Sequence, residues 1–159
     1  MPALNASRRA GILEYLQRRF GVPPTTFADV ALVEGVDGEV WVSTPAAASA
    51  TGARRPPGLR AIRPSPQGPK PTSAFLVSLG HLIVSSRVEF DAGALRALLL
   101  GRRLSAPSDD GYVALSFEGR ILGCGPVSDG VVRCLIPTGR RQELLDVLPP
   151  PGDPESREM

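Results

Sequence analysis

The stretch Gly111–Arg141, GYVALSFEGRILGCGPVSDGVVRCLIPTGRR, decides the fold. Apolar residues recur at every second place through Tyr112-Val113-Ala114-Leu115-Ser116-Phe117, the period of a strand with one buried face. Glu118-Gly119 is a two-residue turn signal, and Ile121-Leu122 opens a second strand. Asp129-Gly130 marks the next reversal, and Val131 to Ile136 reads as a third strand. A meander of three short strands leaves unpaired edges, so it is expected to close with earlier strands into a compact barrel. The glycines of Leu122-Gly123-Cys124-Gly125 weaken a strand unless the backbone bends or another backbone comes close, as at a barrel corner.

Upstream of this stretch, Asn5 or Ser7 caps a helix with Ile12, Leu13, Leu16 and Phe20 on one side, ended by Gly21. Val30 to Val33 and Glu39 to Ser43 read as a hairpin around Val36-Asp37-Gly38, with Trp41 as its largest anchor. Thr44-Pro45 opens a short alanine-rich helix through Ala50, closed by Gly52, and Gly58 to Arg63 returns as a strand. These elements make a small α/β unit of about 65 residues, a size at which independent stability is marginal. Pro64-Ser65-Pro66-Gln67-Gly68-Pro69-Lys70-Pro71 reads as a stiff linker, because its prolines disfavour helix and inner strand.

Beyond it, Thr72 or Ser73 caps a helix running to Gly80, Val84 to Phe90 alternates as a strand, and Asp91 caps a helix from Ala92 to Leu100. Gly101 stops that helix, Arg102-Arg103 follow, and Leu104-Ser105-Ala106 reads as a short strand. After Leu148 a proline-rich polar tail is expected to be disordered.

The order of these elements, with a strand carrying hydrophobic-Leu-Gly-x-Gly and a last strand running into Ile136-Pro137-Thr138-Gly139-Arg140-Arg141, resembles the PUA domain, a pseudo-barrel RNA-binding module. It is more closely similar to the PUA-like C-terminal region of Sun/Nop-type rRNA cytosine-5 methyltransferases. Arg19-Phe20-Gly21-Val22-Pro23 resembles the end of a helix in the module that precedes that region, and the same two-part order occurs in a ribosome-biogenesis factor with no catalytic domain. The resemblance implies an α+β chain, with a pre-PUA-like α/β module at residues 1–65, a PUA-like pseudo-barrel with short helices at 66–148, and a tail at 149–159.

Composition bounds the function. The 159 residues are 42% hydrophobic, enough for one medium domain or two small ones. Net charge is only +2, but the charges are segregated: no acid lies between Glu39 and Glu89, whereas Arg54, Arg55, Arg60, Arg63, Lys70 and Arg87 do. Lys70 is the one lysine among 18 basic residues. Arginine's planar fork suits phosphate recognition, although arginine codons of a GC-rich genome give the same bias with ordinary surface charge. Cys124 and Cys134 show no metal-ligand spacing and read as reduced thiols, so no metal is expected. No signal peptide and no membrane-length apolar run appear, which points to a soluble, cytoplasmic protein that does not engage membranes.

No enzyme is expected. The methyltransferases this chain resembles hold their cofactor on a glycine-rich loop and attack with a cysteine after proline or threonine. Here Cys124 lies between glycines and Cys134 follows Arg133. A thiol nucleophile also wants a base, and the one histidine, His81, sits near a helix end. The expected function is cofactor-free binding of structured RNA, rRNA or tRNA, in ribosome biogenesis or RNA modification. A separate methyltransferase or an assembly factor is the further partner. The candidate contacts are Lys70, Arg87, Arg102, Arg103, Arg133, Arg140 and Arg141, with Arg60 and Arg63 next; Arg102 and Arg103 follow the helix where PUA modules meet the RNA backbone. The alternative is a protein-interaction adaptor, which predicts a contiguous exposed apolar patch in place of a basic groove.

Overall fold

The computed structural model describes residues 2–49 and 58–150. Helix α1 (Ala6–Phe20) is capped by Asn5, whose side chain accepts from the Arg8 N–H at 2.8 Å, and Gly21 ends it at φ 74°. Strands β1 (Ala31–Glu34) and β2 (Val40–Ser43) form the expected hairpin. Its anchor is Val40, which is buried, while Trp41 stays half-buried. Thr44 caps the short α2 (Pro45–Ala48). The expected continuation to Ala50, the Gly52 stop, Arg54 and Arg55 lie outside the described residues, as do residues 151–159 of the expected tail.

The proline-rich stretch is a hairpin and not a linker. Strand β3 (Leu59–Ser65) pairs antiparallel with β4 (Gly68–Pro71), setting Arg63 opposite Lys70 and Pro64 opposite Pro69. Pro69 and Pro71 are tolerated because β4 is the edge of a sheet ordered β1-β2-β3-β4, and Pro64 lies on β3 beyond Ile62, where pairing with β2 has ended. Residues 65 and 66, the expected domain boundary, sit at the turn of this hairpin.

Helix α3 (Ser73–Leu79) follows, capped by the Thr72 hydroxyl, then β5 (Arg87–Phe90) and α4 (Ala92–Leu99), capped by Asp91. A short β6 (Leu104–Ser105) leads to the meander of β7 (Gly111–Phe117), β8 (Arg120–Ser128) and β9 (Val131–Val132). The second sheet is ordered β5-β7-β8-β9-β6, with β5 parallel to β7 and the other neighbours antiparallel. It curls into a half-barrel, so the fold is α+β. The third strand is shorter than expected. Residues 133–136 follow β8 without a regular ladder, through Arg133 N–H to Pro126 O at 3.2 Å and Leu135 N–H to Cys124 O at 2.9 Å. Pro126 has no N–H to give back. Helix α5 (Thr138–Val147) closes the chain, its Leu144 buried beside α4 and its start set by Pro137.

Strand β7 is buried on both faces, not one. Tyr112 and Ala114 point into a core with α1, β1 to β3 and α3, whereas Val113 and Leu115 point into a second core with α4 and α5. A near-continuous apolar run is the mark of such a strand. The bulge between Leu115 and Ser116 makes Leu122 the extra residue of β8, turning Ile121 and Cys124 toward the same core. The N-terminal elements thus cover one face of the second sheet.

The glycines of β8 are there for close approach. A Cβ at Gly125 would stand 2.0 Å from the Arg133 carbonyl oxygen, and one at Gly123 would stand 2.4 Å from Ile136 Cγ1 and 2.8 Å from Ser73 Oγ. Gly125→Ala is therefore expected to cost about 2–3 kcal/mol, since backbone cannot step aside as a side chain can. Gly11→Ala, in the interior of α1 with nothing within 4 Å, is expected to gain up to about 1 kcal/mol. Urea unfolding of the two variants checks both signs.

Candidate nucleic-acid interface

The half-barrel and the N-terminal sheet meet along a groove. One wall is the β3–β4 hairpin, held over the barrel by the Tyr112 hydroxyl, which donates to Ser65 Oγ at 3.1 Å; Ser65 in turn donates to Gly68 O at 2.7 Å. The other wall is the extended segment 131–137. At the base, Ser73 Oγ accepts from the Cys124 N–H at 3.0 Å and donates to Leu135 O at 3.4 Å, joining α3, β8 and that segment.

Two recesses lie between these walls. In the first, Gln67 of the hairpin faces Arg103, Arg133 and Val132. In the second, Arg60, Arg63 and Lys70 face Leu135 and Pro137. Alternation along β3 would put Arg60 and Arg63 on opposite faces. The register shift against Val40 and Trp41 makes Ala61 an extra residue and brings both guanidinium groups to one carboxylate, Glu39, at 3.1 and 3.8 Å. One anion for two cations, plus Lys70, leaves this recess positive. The first recess is closer to balance, because Asp110 and Asp129 also line it.

The nine candidate residues separate into three kinds. Among the described residues, the side chains of Lys70, Arg102, Arg103 and Arg133 make no hydrogen bond or ion pair, and all four are exposed or half-exposed. Arg60, Arg63 and Arg140 are ion-paired, Arg140 to Glu143 of α5 at 2.8 Å and away from the groove. The Arg140 pair is exposed on both sides and holds weakly, about 0–1 kcal/mol, whereas the Glu39 side chain is only 17% exposed and its two pairs are partly shielded from solvent. Arg87 and Arg141 are structural clamps. Arg87 donates to Ile83 O, Ser116 Oγ and Gly119 O, at 3.2, 3.3 and 2.6 Å. Arg141 donates to Ile136 O and Cys134 O at 2.5 and 3.0 Å, fixing the groove wall to α5. The groove itself gathers Arg60, Arg63, Lys70, Arg103 and Arg133, with Arg102 exposed next to Arg103.

Arg87 also belongs to a small polar network. The buried Ser116 hydroxyl, with the Gly119 N–H and the Arg87 charge, holds the Glu89 carboxyl below the usual carboxylate range despite its exposure. His81 is exposed in a 3-10 turn, and among the described residues no group of three or more His, Cys, Asp or Glu gathers as metal ligands would. Cys124 and Cys134 are both free and buried, in different cores. Among the described residues no helix is long and apolar enough to cross a membrane.

Strand, Asp-capped helix, Gly-Arg-Arg loop, strand and meander, curled with a parallel β5–β7 pair, define a PUA-like pseudo-barrel, a class of RNA-binding modules. Residues 85–142 match the model of a family described as the methyltransferase RsmF PUA domain, of the Sun/Nop-type rRNA methyltransferases. The match is to a binding domain and not to a catalytic one. It spans β5 through the first half of α5, which carries Arg87, Arg102, Arg103, Arg133, Arg140 and Arg141. No curated protein matches the chain.

The clamp and free arginines are separable by experiment. Arg87→Ala is expected to lower unfolding free energy by about 1.5–3 kcal/mol through lost charge-assisted bonds, and Arg102→Ala to stay within about 0.5 kcal/mol. A second check uses pH. Burial, offset in part by Lys70, pushes the Cys124 thiol up to about 12 from an ordinary 9.0. A folded value above the unfolded one means this contribution is complete below pH 9.0 and is lost as pH rises toward 12. Stability is expected to fall over that window in urea titrations, and to fall less in Cys124→Ala.

Proposed function

We propose that this protein binds structured RNA, without catalysing a reaction on it, by laying the phosphate backbone in the groove between the β3–β4 hairpin and segment 131–137. The observation that carries this reading is the convergence of Lys70, Arg63 and Arg60 with Arg103 and Arg133 along one track, in a chain whose barrel matches a PUA family. Phosphate contacts by such cations release counterions and give affinity with little sequence information; the shape of a folded RNA supplies selectivity. Gln67 and the open backbone of the hairpin's edge strand are further polar partners. Exposed aromatics for base stacking play a small part, since Phe20, Phe27, Phe75, Phe90 and Tyr112 are buried.

The biological role proposed with it is ribosome biogenesis or RNA modification in the cytoplasm, acting on rRNA or tRNA beside a separate methyltransferase or assembly factor. The two expected units, divided near residue 65, would then act together, because both supply groove walls. Among the described residues the large exposed apolar side chains are Val36, Val77, Val84, Leu100, Val131 and Val147, five valines and one leucine with no exposed large aromatic, which favours the RNA reading over a protein adaptor.

Fluorescence anisotropy with a structured rRNA fragment tests the proposal. Affinity is expected to fall steeply with salt, each phosphate contact adding about 0.7–0.9 to the slope of log K against log salt. Lys70→Ala with Arg133→Ala, and separately Arg102→Ala with Arg103→Ala, are expected to flatten that slope by about one to two and weaken binding at least tenfold near 0.1 M salt. Tight binding indifferent to salt and to both double variants rules the groove out.

A further inference from the structure

A third recess, outside the groove, opens where α1 meets the barrel, and its volume is about 800 Å³. Its walls are Tyr15, Arg18 and Arg19 of α1, Ser86 and Arg87 at the start of β5, and the first part of the loop 107–112. The far part of that loop, Asp110 to Tyr112, lines the Arg103–Arg133 recess. One loop is thus the divide between the groove and this cleft, with cations on both sides.

The charges of the cleft are set before any ligand arrives. Arg19 donates to Tyr112 O at 2.8 Å and to Asp109 O at 3.1 Å, and Arg87 to the three oxygens described above. Both guanidinium groups are held by neutral acceptors, so each keeps its whole charge, and neither forms an ion pair among the described residues. Arg18 pairs with Glu14 at 3.4 Å, both side chains about 70% exposed, a contact that screening leaves weak. Against these three arginines stand Asp109, which lines the cleft, and Glu89, which feels the Arg87 charge from its place on the Gly119 N–H. Ser86 presents a hydroxyl group without a protein partner among the described residues, whereas Tyr15 lines the wall while packing against the first core, where burial raises its pKa. Two fixed cations, one recruitable cation and the Ser86 hydroxyl are a chemistry for a phosphodiester.

We infer that the RNA track crosses the loop 107–112 and that the cleft between α1 and the barrel takes a further backbone phosphate of the same RNA, with Arg18 closing on it. This rests on the proposed RNA-binding function and extends its footprint onto the N-terminal module. Arg18 is the residue to change, because it is exposed and holds nothing in place, unlike Arg19 and Arg87.

The full chain is titrated with the structured rRNA fragment across a salt series, with thermal unfolding to confirm that each variant folds. Arg18→Ala is expected to flatten the salt slope by about 0.7–0.9, and Arg18→Glu to weaken binding by about tenfold near 0.1 M salt. Both effects are expected to persist on top of Lys70→Ala with Arg133→Ala, as separate contacts do. Ultraviolet irradiation is expected to crosslink RNA to the peptide containing Tyr15. If Arg18→Glu binds like wild type while the groove variants weaken, the groove stands and the cleft is overturned. If only Arg18→Glu weakens binding, the groove falls and the cleft stands. A chain that binds no structured RNA overturns both. Inorganic phosphate or AMP that binds at millimolar concentration in calorimetry and is lost in Arg18→Glu, with RNA affinity indifferent to Arg18→Glu, assigns the cleft to a small phosphate and overturns the RNA path.

Discussion

Everything that shapes the groove depends on one close approach, the Arg133 carbonyl lying against the backbone of Gly125. Segment 133–137 can lie this close along β8 only where β8 has no side chain. Ile136 fills the place that a Cβ on Gly123 would take, and Ser73 reaches the same spot from the other lobe. The hydroxyl of Ser73 then bridges the Cys124 N–H and the Leu135 carbonyl, satisfying two backbone groups that the broken ladder would leave unpaired. Helix α3, the β3–β4 hairpin and the segment beyond β9 therefore converge on one strand. A residue with a side chain at position 125 would push the segment outward and move Arg133, Leu135 and Pro137 with it.

The abundance of arginine has an architectural side as well as a recognition side. Arg9 donates to Phe27 O and Val30 O, at 2.7 and 3.1 Å, and Arg19, Arg87, Arg96 and Arg141 likewise donate to main-chain carbonyls. A guanidinium spreads five donors in a plane and reaches two or three carbonyls of an irregular loop at once, which an ammonium on a flexible stem does poorly. Where the chain leaves its helices and ladders, these clamps stand in for main-chain pairing. They also leave their charge uncompensated, so structural arginines add to the field that the free ones present.

Much of the fold was legible in the sequence because local signals and tertiary demands agreed. Asn5, Thr72 and Asp91 cap helices, Asp37-Gly38, Glu118-Gly119 and Asp129-Gly130 take positive φ at reversals, and the paired glycines of β8 mark a close approach. The failures have physical reasons. Proline content suggested a linker at 64–71, but Pro69 and Pro71 sit on an edge strand and Pro64 on a part of β3 that β2 does not reach, so little main-chain pairing is lost. Alternation in β7 suggested one buried face, yet Val113 and Leu115 are as apolar as Tyr112 and Ala114, and a second core takes the other side. Helix α5 carried its own signal, Leu144, Leu145 and Leu148 behind Pro137, masked by a polar first turn. For the candidate site, neighbours in sequence such as Arg140 and Arg141 have opposite fates, one paired at the surface and one tied to Ile136. Which arginine clamps and which stays free is fixed by carbonyls brought in from elsewhere, and no local pattern encodes that.

The segregation of charge along the sequence becomes a gradient along the groove. The acid-free run between Glu39 and Glu89 supplies the hairpin, so the recess holding Lys70, Arg63 and Arg60 meets only the carboxylate of Glu39. The recess at the other end takes its residues from the barrel, where Asp110 and Asp129 accompany Arg103 and Arg133. At 0.1 M salt the screening length is about 10 Å, wider than a recess of about 360 Å³, so the cations of the hairpin end act on a ligand together. Under the proposed function, the hairpin end is the part that would attract a polyanion, and the more balanced barrel end is the part where a misplaced phosphate would meet a carboxylate. The two lobes thus differ in charge balance, and this difference follows directly from where the chain places its acids.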